Sequence, residues 1–267
     1  MQTDLNIYRL ENELILDFEP GLLDTVTARL ESHLVADQVE LVDASPHFGL
    51  LSLQGPKTTD ALESVGLKLP DELFAHTQVT QNELGEWYLM RNDRLGQVGC
   101  DLYIPTAYLP GAAKRLAKAV AGQGGGLAGW EAIEIARIES GIPRFGSDMD
   151  QNTLPPEANL ESRAISYTKG CYIGQEIIAR IRTYGKVNRT LVGYRLDAEL
   201  AESATLGTKL IDESGKAAAT ITSVAHSPAH GAIALGLAKR THAELGQVLT
   251  AESPATGQAT VASLPFS

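Results

Sequence analysis

The feature that most constrains this chain is a change of pattern near residue 189. Beyond it, residues 190–196, 209–212, 217–223 and 232–237 form short apolar runs separated by Gly or Asn/Asp turns, with hardly any helical spacing. Regularly spaced short strands that bury one face predict a small separate barrel or sandwich. The boundary falls at 186–189. Upstream the reading is different: residues 4–10 and 13–18 read as a hairpin, and Leu22, Leu23, Val26, Leu30 and Leu34 recur at helical spacing after Pro20-Gly21. Strands are predicted at 39–42 and 48–53, the latter stopping at Gln54-Gly55-Pro56 before a helix through Leu62. Two antiparallel strands, 83–90 and 100–104, flank the turn Asn92-Asp93-Arg94-Leu95-Gly96, and amphipathic helices follow at 111–121 and 130–140. Together these predict an α+β chain with a β-rich end.

Composition narrows the function. The 267 residues carry 22 Lys+Arg against 33 Asp+Glu, a net charge of -11. An acidic chain lacks the cationic face that broad binding to nucleic acid or anionic membrane requires, so neither is expected as a partner. At 43% hydrophobic and 21% charged it has material for folded cores. Two cysteines, Cys100 and Cys171, make neither a disulfide framework nor a metal cluster, which suits a reducing compartment. With no apolar run near the ~20 residues of a membrane span and no signal-peptide start, a cytoplasmic location is expected.

Several motifs bear on chemistry. Gly122-Gln123-Gly124-Gly125-Gly126 trails a helix instead of linking a strand to one, so it reads as a helix stop and linker, not a phosphate loop. His226 and His230 are four apart, but Pro228 between them breaks any helix, and no metal site is expected. Asp148 and Asp150 read as solvated carboxylates of a polar loop. The unusual segment is Tyr167-Thr168-Lys169-Gly170-Cys171-Tyr172-Ile173-Gly174-Gln175-Glu176, which runs into a helix. A cysteine at a helix start, with Lys169 and Arg180 nearby, sits in positive surroundings that favour a thiolate; a tight connection with a buried cysteine is the alternative. Residues 160–195 hold Arg163, Lys169, Arg180, Arg182, Lys186, Arg189 and Arg195 against Glu161 and Glu176, a local +5 on a chain otherwise at -16. That island suits an anionic ligand tail or an acidic partner, or is a solvated face.

Lys169-Gly170-Cys171-Tyr172-Ile173-Gly174-Gln175-Glu176 resembles the signature of the YgfZ family of folate-binding proteins. The runs 137–149 and 154–157 fit the same family in order and spacing, and Gln54-Gly55-Pro56 and 227–236 are similar to the wider superfamily of glycine-cleavage aminomethyltransferases. The resemblance implies a three-lobed α+β fold: interleaved lobes at 46–128 and at 1–45 plus 129–187, then a C-terminal β-barrel at 188–267. It also implies a further half-lobe ahead of Asp4 that is missing from this chain. The cofactor implied is tetrahydrofolate, the function assembly or repair of iron-sulfur enzymes, and the partners iron-sulfur client enzymes or assembly proteins. Cys171 and Asp4 are the implied catalytic residues. Asp4, Asp101, Arg137, Lys169, Tyr172, Gln175 and Arg180 are the implied cofactor-binding residues, Asp101 as the pterin-binding acid. The alternative within the superfamily is a tetrahydrofolate-dependent aminomethyltransferase, although Ile133 stands where the transferases use an arginine. An interaction module without a folate pocket is the third reading.

Overall fold

In the computed structural model, which describes residues 1–81, 85–185 and 187–267, the chain is α+β and divides into two compact units. One comprises Leu5–Ile133; the other joins Met1–Asp4 to Glu134–Ser267.

The first of these is built on a four-stranded antiparallel sheet in the order β3-β6-β5-β4, formed by β3 (Phe48–Gln54), β4 (His76–Gln81), β5 (Gly85–Arg91) and β6 (Gly99–Pro105). Strand alternation divides its side chains between two faces. Leu53, Trp87, Leu89, Cys100, Leu102 and Ile104 pack under α2 (Thr58–Glu63) and α3 (Leu109–Gly122), meeting Ala61, Leu62, Ala112 and Leu116. Ala112, Leu116 and Ala119 recur at helical spacing along α3, which carries proline in its first turn, where a missing N–H costs nothing. The opposite face meets a hairpin of β1 (Asn6–Arg9) and β2 (Leu14–Asp17): Tyr8, Leu10 and Ile15 pack with Met90, Tyr88 and Tyr103. A short helix α1 (Leu23–Glu31) follows the hairpin.

The other unit is dominated by a closed six-stranded barrel in the order β10-β7-β12-β11-β8-β9. Its strands are β7 (Arg189–Leu196), β8 (Lys209–Ile211), β9 (Ala217–Ser227), β10 (Gly231–Lys239), β11 (Val248–Ala251) and β12 (Gln258–Ala262). Its interior is small-residue rich: Ala218, Ala219, Ala234, Ala238, Ala251 and Ala259 surround Tyr194, Leu210, Ile221 and Leu249. Gly236 sits at a register shift, where a Cβ would come within 2.6 Å of the Thr220 carbonyl oxygen and 2.9 Å of the Tyr194 ring. Outside the barrel lie α5 (Glu161–Ala164), α6 (Gln175–Tyr184) and α7 (Ala198–Ser203), with α4 (Trp130–Glu139) entering the unit at Glu134. Ile138 of α4 packs on Leu191, Ala225, Ile233, Leu235 and Phe266.

A buried polar knot fixes this end of α4. Arg137, 5% exposed, donates from Nη1 to Asp148 at 2.8 Å and to the Ile142 carbonyl at 3.2 Å. Its Nη2 donates to Ser223 at 2.8 Å and Glu134 at 2.7 Å, and its Nε to Glu134 at 3.0 Å. Asp148 also accepts from Thr222 at 2.5 Å, Ser223 at 2.8 Å and the Arg144 amide at 3.0 Å. It is 1% exposed, which corrects the expectation of a solvated carboxylate. Only Asp150 fits that expectation, as an exposed turn residue accepting from the Asn152 amide at 2.8 Å.

Two further differences from the sequence reading have physical causes. The strand expected at 39–42 does not form: Val39 and Val42 are 57% and 69% exposed, and without a ladder partner an apolar run gains nothing from extension. The expected strand 83–90 begins at Gly85, its first residues lying outside the described ones, as does Lys186 of the expected domain boundary. Arg137→Ala leaves Asp148 buried without its cation, so unfolding free energy should fall by about 3–5 kcal/mol in urea melts. Arg137→Ala combined with Asp148→Asn should cost less than Arg137→Ala alone.

Candidate functional site

Alternation along β6 sends Asp101 and Tyr103 to the face away from α2 and α3, where a carboxylate has no business unless compensated. Asp101 is fully buried. Compensation comes from the turn between β5 and β6: Arg94 Nε donates to both Asp101 oxygens, at 2.9 and 2.8 Å, and Asn92 Nδ2 donates to Oδ2 at 2.8 Å. Arg94 Nη2 reaches Asp17 at the end of β2, which also accepts from Asn6 Nδ2 at 3.2 Å. Asn92 Nδ2 is shared with the Tyr8 hydroxyl at 3.0 Å, and the Asn92 carbonyl accepts from Gln54 Nε2 at 2.9 Å. Gly99 makes room for this: a Cβ there would lie 2.1 Å from the Gln54 side chain.

The electrostatics follow from this geometry. Burial pushes the Asp101 carboxyl above its ordinary range, with Arg94 pulling the other way. Burial works against the Arg94 cation, but Asp101 and Asp17 more than offset it and hold the guanidinium charged. The Tyr8 and Tyr103 hydroxyls are raised by burial and by the nearby carboxylates, so both remain protonated. Cys100, on the other face of β6, is pushed up to about 12 by burial and is a core thiol. Three polar atoms on this side of the sheet stand without partners though buried: Asn92 Oδ1, the Tyr103 hydroxyl and Gln54 Oε1. Since buried polar groups are nearly always hydrogen-bonded, orphans clustered round a carboxylate point to a ligand's donors.

The remaining expected residues stand elsewhere. Asp4 is half-buried and belongs to the barrel-containing unit. All five N–H groups of Arg137 are spent on Glu134, Ile142, Asp148 and Ser223, leaving none for a cofactor. Lys169, Cys171 and Tyr172 lie on one loop, and Gln175 and Arg180 on the helix α6 that follows it. Lys169 Nζ lies 4.7 Å from the Tyr172 ring centroid, and Gly174, at φ 89°, caps α6. Cys171 is exposed and precedes the first residue of α6 by four positions, outside the first turn where a helix terminus acts. In the same segment Arg182 stacks 3.9 Å over the Tyr167 ring, whose hydroxyl donates to Glu161.

Sequence reasoning missed Asn92, Arg94, Asp17, Tyr8 and Tyr103 as members of the Asp101 cluster. Alternation from Asp101 points to Tyr103, but only folding joins the hairpin to the sheet. Among the described residues no group of three or more His, Cys, Asp and Glu is placed to hold a metal ion.

With this geometry in view, comparison with known proteins is informative. The model of the GCVT N-terminal domain matches residues 1–169. An aminomethyltransferase of Saccharopolyspora erythraea is 28% identical over 268 residues, covering 98% of this chain and 72% of that protein. One from Nostoc sp. is 30% identical over 225 residues, 83% of this chain, and the chain spans 57% of that relative's length. Among solved structures, glycine cleavage system aminomethyltransferase T from Bartonella henselae superposes with a TM-score of 0.84 at 23% identity, covering all of this chain and 72% of that one. The α+β architecture with its six-stranded barrel is therefore the fold of that enzyme. Since the family match takes in well over half the sequence and includes the whole Asp101 cluster, this chain belongs to the GCVT N-terminal domain family.

Proposed function

We propose that the chain binds a reduced folate at Asp101 and serves one-carbon transfer in the manner its aminomethyltransferase relatives are named for. The observation that carries this reading is the pairing of a buried carboxylate with two orphaned polar atoms, Asn92 Oδ1 and the Tyr103 hydroxyl. The edge of a pterin presents adjacent N–H donors, and a carboxylate accepts two in parallel. The residues present fit such a group: Asp101 takes the paired donors, Asn92 Oδ1 accepts a further one, and Tyr103 contributes a hydroxyl that donates or accepts. Tetrahydrofolate supplies the amine nitrogens that carry a one-carbon unit. The Tyr8 and Tyr103 rings pack against each other edge to face beside Asp101, 6.1 Å between centroids.

Anaerobic titration calorimetry with tetrahydrofolate tests the site. Charge-assisted hydrogen bonds contribute roughly 1.5–3 kcal/mol each, so Asp101→Asn should weaken binding by about 10- to 100-fold. Wild-type affinity in Asp101→Asn would remove the pterin assignment.

A second reading, maintenance of iron-sulfur enzymes as in the YgfZ family, is favoured by one observation: Cys171 is an exposed free thiol beside Lys169 and Tyr172. A single thiol cannot supply the four ligands of a cluster, so any contact with one is shared with a client or assembly protein. Lys169, Gln175 and Arg180 offer such a partner a polar and cationic face. On this reading Cys171→Ala loses activity in complementation of a strain deficient in iron-sulfur enzymes; full rescue would leave only the transferase reading.

A further inference from the structure

No surface of the Asp101 carboxylate is open to a ligand while its partners within the chain stay in place. Its two oxygens accept from Arg94 Nε and Asn92 Nδ2, and the side chain is fully buried. For an N–H group to reach the carboxylate, one of these donors must leave. Asn92 is not free to do so: it is 1% exposed, shares Nδ2 with Tyr8, and is tied through its carbonyl to Gln54. Arg94 is different. Its side chain is 32% exposed, it sits on the turn between β5 and β6, and among the described residues its hydrogen bonds run to the side chains of Asp101 and Asp17.

We propose that Arg94 is an internal stand-in for the ligand, a latch that occupies the donor position on Asp101 and must swing toward solvent before a ligand is admitted. This deepens the folate reading and rests on it. The geometry of the guanidinium fixes how the latch works. Nε–H and Nη2–H lie on one edge of a rigid planar fork, and here that edge bridges two carboxylates, Nε on Asp101 and Nη2 on Asp17. A swing outward therefore breaks both contacts at once. It also leaves Asp17 and Asp101 facing each other without a cation, a like-charge arrangement relieved only when a donor-bearing ligand edge settles on Asp101. Because Asp17 ends β2, the latch also pins the β1–β2 hairpin across the sheet. Opening the site and loosening the hairpin are then one event.

The latch acts as a selector. A ligand presenting one weak donor cannot replace Arg94, whereas an edge with paired N–H groups, the guanidine-like pattern of a 2-amino-pyrimidinone ring, gives each Asp101 oxygen its own donor where Arg94 Nε alone bridged both. Apparent affinity is reduced by the fraction of molecules with the latch closed, so weakening the latch should tighten binding.

Asp17→Asn is the informative variant, since it keeps shape and hydrogen bonding to Asn6 and Arg94 while removing one of the two charges that hold the fork. Tetrahydrofolate binding to wild type, Asp17→Asn and Asp101→Asn is followed by anaerobic stopped-flow, with hydrogen exchange of residues 6–17 measured alongside. Asp17→Asn is expected to bind about fivefold more tightly, through a faster association rate with dissociation unchanged, and to exchange faster in the hairpin. Unchanged or weaker binding by Asp17→Asn, with Asp101→Asn impaired, overturns the latch and leaves the site standing. If Asp101→Asn binds as the wild type does, the site reading falls and the latch with it. A faster-exchanging hairpin without tighter binding marks Asp17 as structural only and also overturns the proposal.

Discussion

A carboxylate removed from water stays ionised only if the protein supplies what the water did. Taking one ion into the interior costs several kcal/mol, and a lone partner repays it only with good geometry. Asp101 meets that requirement through Arg94 and Asn92, and each compensating group recruits another: Arg94 draws in Asp17, Asn92 draws in Tyr8 and Gln54, and Gln54 needs Gly99. The hairpin, the turn between β5 and β6 and the end of β3 are thus assembled round one charge. The apolar contacts of Tyr8, Leu10 and Met90 supply cohesion, but they do not say where on the sheet the hairpin should sit. The ionic network does, because its directional bonds are satisfied in one register.

Arg137 and Arg94, each paired with a buried carboxylate, show that such a pairing does not by itself mark a functional group. Arg137 is nearly inaccessible, and every N–H it has is committed within the chain, two of them to main-chain-proximal anchors in the 142–148 loop and the rest to Glu134 and Ser223. Such a residue can join a helix to a barrel strand but has nothing left to offer a ligand. Arg94 is a third exposed and sits on a turn, with orphaned acceptors close to its carboxylate partner. The difference lies in the accounting of donors and acceptors, not in the type of residue.

How much was legible in the sequence depended on the range of the interaction. Strand alternation and helical spacing are local, so β1, β2, β3, β6, α3, α4 and the barrel strands β7 to β10 were readable as elements. Asp101 entered only through the family resemblance, as the pterin-binding acid implied for the run Gly99-Cys100-Asp101-Leu102. What was not readable is anything decided by a distant partner. Val39 to Val42 look like a strand, yet they find no ladder and lie exposed. Asp148 looks like a loop acid, yet Thr222 and Ser223, more than seventy positions away, take it into the interior. Asp17 and Arg94 are seventy-seven positions apart and carry no motif that pairs them.

The same distinction separates the two cysteines. Both sit beside charged residues in sequence, Cys100 next to Asp101 and Cys171 two places from Lys169. Alternation turns Cys100 into the packed face beneath α2 and α3, where loss of water disfavours the thiolate and its pKa rises to about 12. Cys171 lies exposed on a loop whose glycines, Gly170 and Gly174, leave room on either side. A charged neighbour in the sequence can add a fraction of the effect, but burial sets its sign.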